Sequence, residues 1–334
     1  AIGYIIDVYR GKIKAENNLL DYTLFLSFFP QIVAGPISRY SQLMPQIKNN
    51  RTFSAQRATE GLRMLLCGAF LKIVIADRLS LYVNDIANYI DIADGSSLLS
   101  MAFFYSFQIY SDFAGYSLMA IGTAKVVGFD LPDNFRRPYL SVSITEFWRR
   151  WHISLSLWLR DYIYISLGGN RCSRWRNYVN ITTTFIVSGL WHGANYTFLI
   201  WGLLHGMFQC IEKALGLNKE YTGNKLLKAI RIATTFIIVT MLWIVFRMPT
   251  LSDAWTVFVH IATTTDFHLV MPEKYVIILL AIAIIKDLVN EYHPQYDMLH
   301  HRSLIVRWTS YVLIAMSIIL FGVFDSGQFI YAKF

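Results

Sequence analysis

The chain contains 334 residues, of which 55% are hydrophobic, 16% aromatic and only 16% charged. An average soluble domain carries about 25% charged residues, so this composition, with a mean hydropathy of +0.40, disfavours an ordinary soluble protein. It also excludes a disordered chain, a coiled coil and a disulfide-stapled secreted module. The expected class is an all-α polytopic membrane protein.

The net charge of +8 is concentrated in one stretch. Eight arginines lie from Arg136 to Arg176, against only two acidic residues, Glu146 and Asp161. Such a cluster is typical of a cytoplasmic segment near anionic lipid head groups. No nucleic-acid motif accompanies it, so we expect membrane lipids rather than nucleic acid as its surroundings.

The three cysteines are scattered without a CxxC pair, and they support neither a disulfide framework nor a metal site. The chain begins at Ala1 without a signal-peptide pattern. We expect a single transmembrane domain over residues 1–334 that lacks its first membrane spans.

Apolar runs separated by charged loops predict about eight to ten membrane segments with short amphipathic helices between them. Residues 19–36 contain Asp21 and end in FFPQIVAGPI, which predicts a broken or re-entrant segment. The later apolar runs are residues 64–76, 98–127, 177–211 and about 230–246, 274–289 and 304–324.

Residues 177–211 carry no Asp, Glu, Lys or Arg. As one helix this run would be about 53 Å long, against about 30 Å of hydrocarbon in a bilayer. We therefore expect a bend or division, either at Ser188-Gly189 or at Gly193-Ala194-Asn195.

The basic stretch contains EFWRRWHISLSLWLRDYIY, which predicts one amphipathic helix. Its apolar face at helical spacing consists of Phe147, Trp148, Trp151, Leu155, Trp158, Leu159 and Tyr162. Arginines lie mostly on the opposite side, as in a helix that lies in the membrane interface. A helix packed against the other spans fits this pattern equally well, and the two interpretations are compatible.

Ionisable residues inside apolar runs are costly and tend to be functional. His192, in SGLWHGANYTFLIWG, is able to accept a proton from a hydroxyl as a neutral imidazole. The glycines on either side, Gly189 and Gly193, allow a substrate or another backbone to approach. A hydrogen-bonded structural histidine is the alternative.

Three further residues have open interpretations. His205 lies about 220° around a continuous helix from His192, which favours a structural role unless the chain breaks between them. His152 either positions a donor or makes a head-group or interhelical contact. Asp112, in QIYSDFAGYSLMAIG, either orients a histidine or arginine or forms a buried ion pair, and the ion pair is favoured.

Five stretches carry a resemblance to a known family. They are FFPQIVAGPISRY (28–40), YSDFAGYSLMAIG (110–122), the block from LPDNFRRP to LGGNR (131–171), SGLWHGANYTFLIWGLLHG (188–206) and FIYAKF (329–334). They resemble the membrane-bound O-acyltransferases, most closely the bacterial branch that includes the alginate O-acetylation proteins. The resemblance implies a multi-pass helical bundle in the bacterial inner membrane, with a central tunnel and short re-entrant helices.

The resemblance also implies roles for two histidines. The essential histidine of the family falls in its WHG motif, here His192, and the second falls in its RWHxS motif, here His152. Family members resemble relays that pass an acyl group from a cytoplasmic thioester to the outer face, commonly to an SGNH-type acetyltransferase that modifies an exopolysaccharide. The implied donor is acetyl-CoA, used as a substrate, with no permanently bound cofactor.

On this basis we predict an O-acetyltransferase in which His192 is the general base. The candidate donors to the developing oxyanion are Trp191, Asn195 and His152, with Asp112 as a supporting residue.

Arg149, Arg150 and Arg160 are the candidates for holding the phosphates of coenzyme A. Two alternatives stay open. Leu118, where alginate-type proteins often have Asp, resembles the branch that transfers D-alanine to teichoic acids, although LGGNR favours the acetyl branch. A transporter or channel without chemistry is the other alternative.

Overall fold

The structure is a computed structural model that describes residues 1–264 and 268–324, and these residues form helices and loops without a β-strand. The described α-helices are α1 (Ile2–Tyr9), α2 (Leu19–Leu26), α3 (Tyr40–Lys48), α4 (Ala55–Ala69), α5 (Asp77–Ala87), α6 (Gly95–Val126), α7 (Ile144–Arg150), α8 (Ile153–Leu159), α9 (Arg174–Trp191), α10 (Tyr196–Ala214), α11 (Lys225–Arg247), α12 (Leu251–Thr263), α13 (Lys274–Tyr292) and α14 (Leu304–Phe321). The predicted all-α class is confirmed. The last resembling stretch, 329–334, lies outside the described residues.

Two of the described helices, α11 and α14, are long and apolar enough to cross a bilayer by length and composition alone. α11 is partly buried among other helices, whereas α14 has no fully buried residue in its apolar window and packs along one side against α4. The longest helix among the described residues is α6, whose 32 residues extend over about 48 Å. It is the central helix of the bundle, and it packs against α4, α5, α11 and α12.

The segment over residues 19–36 is broken, as the sequence predicts. α2 ends at Leu26, and the chain then runs without a helix until α3 begins at Tyr40. This irregular stretch reaches the interior, where the backbone N–H of Ile37 donates to Ser154 Oγ at 3.0 Å.

The uncharged run is divided at the second of the two predicted positions. α9 ends at Trp191 and α10 begins at Tyr196, so that the two helices form an antiparallel hairpin. Lys213, near the end of α10, donates to Asn177, near the start of α9. The start of α9 and the end of α10 therefore share one end of the bundle.

The predicted single amphipathic helix is divided, so that prediction was wrong. His152 separates α7 from α8 with φ 42° and ψ 54°, and a π-helix, Arg160–Tyr164, follows α8. A right-handed helix cannot continue through a left-handed residue. The predicted apolar face is nevertheless buried in the protein at Phe147, Trp148, Trp151, Leu155, Leu159 and Tyr162. This burial supports packing against the other helices.

Residues 144–169 form a re-entrant segment. The first N–H groups of α7 donate to Glu212, near the end of α10, and Asn177 donates to Gly169 O at 2.8 Å. Both ends of the segment thus lie where α9 starts and α10 ends. Between them, the ring of His152 lies 4.7 Å from the ring of Phe113, in the middle of α6.

Two pairs of facing glycines bring α4 and α6 into backbone contact. A Cβ atom at Gly68 would lie 2.6 Å from Gly115 O, and one at Gly115 would lie 2.7 Å from Gly68 O. Gly61 and Gly122 face each other in the same way, at 2.5 and 2.6 Å. Small residues at such positions allow helices in apolar surroundings to pack closely.

We predict that Gly68→Ala and Gly115→Ala each lower the melting temperature of the detergent-solubilised protein. Alanine favours an unhindered helix by about 1 kcal/mol over glycine, so a loss of stability would report the lost contact between α4 and α6. Thr59→Ala, on the exposed side of α4, is the control and should not lower the melting temperature, because alanine is the better helix former at an exposed position. Higher melting temperatures for both glycine variants would contradict the close approach.

Candidate active site

His192 lies at the break between α9 and α10, directly after the last residue of α9. Its side chain faces inward, and the residue is only 5% exposed. The imidazole lies among three aromatic rings, with centroid distances of 6.2 Å to Phe198, 5.5 Å to Trp201 and 5.2 Å to Phe246. The helix break thus places a histidine inside an aromatic cluster.

The loop that holds His192 is fixed from both sides. At Gly189 a Cβ atom would lie 2.2 Å from Phe198 O, so α10 lies directly against α9 there, as the sequence predicts. Asn195 Oδ1 accepts from the N–H of Thr197 at 3.1 Å, and its Nδ2 donates to Pro249 O at 3.0 Å. These bonds give Asn195 a role in holding the loop. Its amide nitrogen keeps a second hydrogen, so the role of oxyanion donor stays a prediction.

Trp191 faces away from the aromatic cluster. It is 50% exposed, and its ring lies 5.7 Å from that of Trp158 in α8. Neighbouring residues at the end of α9 therefore have opposite surroundings, which disfavours the predicted use of the Trp191 indole as an oxyanion donor.

His152 is the second buried histidine of the site, with 6% exposure. Its Nδ1 lies 3.0 Å from Asn134 Oδ1. The ring of the adjacent Trp151 lies 5.0 Å from that of Trp243, which belongs to the aromatic cluster around His192. The fold brings together two histidines that are forty residues apart in the chain.

His205 anchors the re-entrant segment to α10. Its Nδ1 accepts from Trp148 Nε1 at 3.1 Å, and its ring lies 4.8 Å from that of Trp201. Because the chain breaks at 192–195, the two histidines do not lie on one continuous helix and do not face opposite directions. Both His205 and His192 contact Trp201. The hydrogen bond to Trp148 supports the structural role expected for His205.

Asp112 belongs to a buried ion-pair cluster. Its carboxylate lies 2.7 Å from Lys72 Nζ, and the same ammonium lies 2.7 Å from Asp77. Lys72 projects from a π-helix, Phe70–Ala76, that connects α4 to α5. The cluster ties α6 to this connection, which is the structural interpretation that the sequence favours for Asp112.

Two of the three candidate phosphate-binding arginines are engaged in ion pairs. Arg150 bridges Glu146 at 2.7 Å and Glu291 at 2.8 Å, and Glu291 also pairs with Arg137 at 2.6 Å. Arg149, the neighbouring residue, is exposed at the surface. The structure therefore makes Arg150 a bridge between the re-entrant segment and α13.

Arg160 forms an ion pair with Asp161 at 2.7 Å, and Arg39 contacts the same carboxylate. Burial by itself raises the pKa of Asp161, but hydrogen bonds from Arg160 and Arg39 lower it below its ordinary value. The Arg160 side chain is still about half exposed. Arg160 and Arg149 therefore remain accessible to an anionic ligand, whereas Arg150 is held in a bridge.

Asn134 is a site residue that the sequence patterns do not indicate. It is 1% exposed and contacts both His152 and Ser154. It lies in the LPDNFRRP part of the resembling block, 18 residues before His152, without a spacing that would place it beside that residue.

A separate cavity of about 790 Å³ lies between α6, α11, α13 and α14. Its walls are mostly apolar and include Phe107, Phe236 and Leu280, and one wall carries Asp287, which accepts from Tyr110 at 2.9 Å. The two site histidines are not among its described lining residues.

Most of the chain matches a known protein family. Residues 13–249 match the model of the membrane-bound O-acyltransferase family, and the chain belongs to this family. It is therefore a member of a family of membrane proteins, as the composition and motifs predict.

Several curated relatives are similar to this chain. It is 45% identical over 258 residues to a probable alginate O-acetylase of Pseudomonas aeruginosa, which covers 77% of the chain and 49% of the relative. It is 40% identical over 247 residues to a peptidoglycan O-acetyltransferase of Helicobacter pylori, covering 71% and 46%. A teichoic acid D-alanyltransferase of Streptococcus thermophilus is 28% identical over 281 residues, covering 76% and 67%. The chain spans about half the length of the alginate-type relatives.

We predict that Lys72→Met lowers the free energy of unfolding by about 3–5 kcal/mol, because two buried carboxylates lose the ammonium that neutralises them. Asp112→Asn costs less, since Lys72 keeps its ion pair with Asp77. Lys12→Met is the control, because the half-exposed Lys12 lies 3.8 Å from the buried Asp7, and so long an ion pair from a solvated ammonium contributes about 1 kcal/mol or less. Thermal unfolding in one detergent ranks the three variants, and equal effects of Lys72→Met and Lys12→Met would refute the structural role.

Proposed function

We propose that the protein is an O-acetyltransferase that relays an acetyl group from cytoplasmic acetyl-CoA to an acceptor outside the bacterial inner membrane. The observation that carries this proposal is the burial of two histidines, His192 and His152, at irregular backbone positions beside one connected cluster of aromatic rings. Both lie at motif positions of the family. An imidazole among aromatic rings is neutral, so one ring nitrogen has a lone pair to accept a proton.

His192 acts as the general base in this reaction. It takes the proton from an acceptor hydroxyl while that oxygen attacks the carbonyl carbon of the thioester. The tetrahedral intermediate then collapses, its C–S bond breaks, and the leaving thiolate receives the proton from the imidazolium of His192. An ester and free coenzyme A are the products, and the proton count is balanced.

The charge distribution supports a cytoplasmic donor. Residues 171–231 carry eight basic and two acidic residues, and these lie near the end of the bundle where α9 starts and α10 ends. Cytoplasmic loops carry an excess of Lys and Arg, so we assign this end to the cytoplasm in a multi-pass topology. His192 lies at the other end of α9, about 27 Å along the helix axis. A relay therefore needs a tunnel that leads the acyl group from the basic end to His192.

The names of the relatives support acetyl as the cargo and a polysaccharide as the acceptor. Relatives named for O-acetylation are 40–47% identical to the chain, whereas those named for D-alanyl transfer are 28–29% identical. The acceptor is a polysaccharide hydroxyl, reached through an extracytoplasmic SGNH-type acetyltransferase. D-alanyl transfer to teichoic acid is the second candidate, because Leu118 resembles that branch.

His192→Gln removes the general base and should lower acetyl transfer by about 10²–10⁴-fold. The measurement is alkali-labile acetate on the surface polysaccharide of the host, at matched membrane expression. His205→Gln is the matched control, since both histidines contact Trp201 and a glutamine oxygen can still accept from Trp148. This control should retain acetylation.

Full acetylation by His192→Gln would remove the base assignment. Alkali-labile D-alanine that depends on His192, with acetate unchanged, would replace the acetyl cargo by D-alanine. Solute flux in proteoliposomes without acyl turnover would replace the enzyme by a transporter.

Arg149→Ala and Arg150→Ala should have different effects. Arg149 is exposed, and loss of its contact with a phosphate of coenzyme A should raise the KM for acetyl-CoA about 10-fold without changing the melting temperature. Arg150→Ala leaves Glu146 and Glu291 without their bridging cation, so its main effect should be a lower melting temperature. An unchanged KM in Arg149→Ala would remove that residue from the donor site.

A further inference from the structure

Asn134 accepts hydrogen bonds from the turn at His152 through two groups, its backbone carbonyl and its side-chain carbonyl. Its backbone C=O accepts from the N–H of Ile153 at 3.0 Å. Its side-chain Oδ1 accepts from the N–H of Ser154 at 3.3 Å and from the hydroxyl of Ser154 at 2.9 Å. The same oxygen lies 3.0 Å from Nδ1 of His152.

The orientation of the Asn134 amide follows from its partners. A backbone N–H can only donate, so the atom that faces Ser154 N has to be the amide oxygen. The amide nitrogen then faces Ser117 and donates to its Oγ at 3.1 Å. The hydroxyl of Ser154 accepts from the N–H of Ile37 at 3.0 Å, which leaves its hydrogen for Asn134. Each hydrogen bond in this network therefore has one defined donor and one defined acceptor.

This network decides which nitrogen of His152 carries the proton. The amide oxygen of Asn134 has no hydrogen, so the bond at 3.0 Å requires a hydrogen on Nδ1 of His152. In a neutral imidazole the other nitrogen, Nε2, then has the lone pair. The left-handed backbone of His152 and its contact with Phe113 restrict the ring further.

We infer that Asn134 is a positioning residue that fixes His152 as the Nδ1–H tautomer, so that Nε2 of His152 accepts a hydrogen bond from the substrate. This inference rests on the proposed acetyl transfer and changes one part of it. A neutral His152 with its hydrogen bound to Asn134 cannot donate to an oxyanion. Its partner has to be a donor, such as an acceptor hydroxyl or an amide N–H of the donor's pantetheine arm.

The test uses proteoliposomes that contain the full chain and the extracytoplasmic acetyltransferase of the same host. Acetyl-CoA is the donor, deacetylated surface polysaccharide of the host is the acceptor, and released coenzyme A thiol is the readout. Asn134→Ala removes the acceptor that fixes the tautomer of His152. It should lower kcat by about 10- to 100-fold, which is typical for loss of a residue that orients a histidine, at an unchanged KM for acetyl-CoA. Asn134→Asp keeps an acceptor for Nδ1–H and should retain kcat within about 3-fold of the wild type.

Methylated histidines at position 152 separate a tautomer effect from a structural effect. In the Asn134→Ala protein, Nδ1-methylhistidine keeps the lone pair on Nε2, fills space that the amide vacated, and should restore most of kcat. Nε2-methylhistidine in the same protein should give no recovery. Equal behaviour of the two methylhistidines would overturn the inference.

The failure of this inference is distinguishable from failure of the proposed function. A wild-type protein that releases no thiol would refute the acetyl transfer itself. A wild-type protein that releases thiol, together with an Asn134→Asp protein that folds but loses about 10-fold or more of kcat, would refute only the role of Asn134. The Asn134→Asp comparison also decides the question if Asn134→Ala does not accumulate in the membrane.

Discussion

Backbone polar groups inside an apolar bundle need hydrogen-bond partners, and the re-entrant segment depends on this requirement. Its two short helices leave N–H groups at their starts that no helical carbonyl can satisfy. Glu212 accepts the first N–H groups of α7, and Asn134 accepts those at the start of α8. Two polar side chains outside the segment thus make possible the irregular backbone that carries His152.

Both site histidines lie where a regular helix stops. His192 follows the last residue of α9, and His152 has a left-handed backbone between α7 and α8. A helix end allows adjacent side chains to face different surroundings, as Trp191 does outside and His192 inside. Irregular backbone at these two points therefore places polar rings inside a bundle whose regular helices present mainly apolar side chains to the core.

The sequence predicts the helical class, the broken segment after α2 and the division of the uncharged run, because each follows from local composition or from length against bilayer thickness. It does not predict the turn at His152, because the aromatic spacing continues in helical register through residues 147–162. The ion pairs of Lys72 with Asp112 and of Arg150 with Glu291 join residues far apart in the chain, so no local pattern indicates them. Asn134 is missed for the same reason.

The contacts of the re-entrant segment also impose an order of assembly during biosynthesis. Glu212, which satisfies the start of α7, and Trp243, which packs against Trp151, are both translated after the segment itself. Glu291, which pairs with Arg150, is translated later still. A ribosome that has just completed α8 has therefore produced a segment that has Asn134 as a partner but still lacks Glu212, Trp243 and Glu291. The contacts of the segment are complete only after α13 has been made, so the site is completed after both of its histidines have been translated.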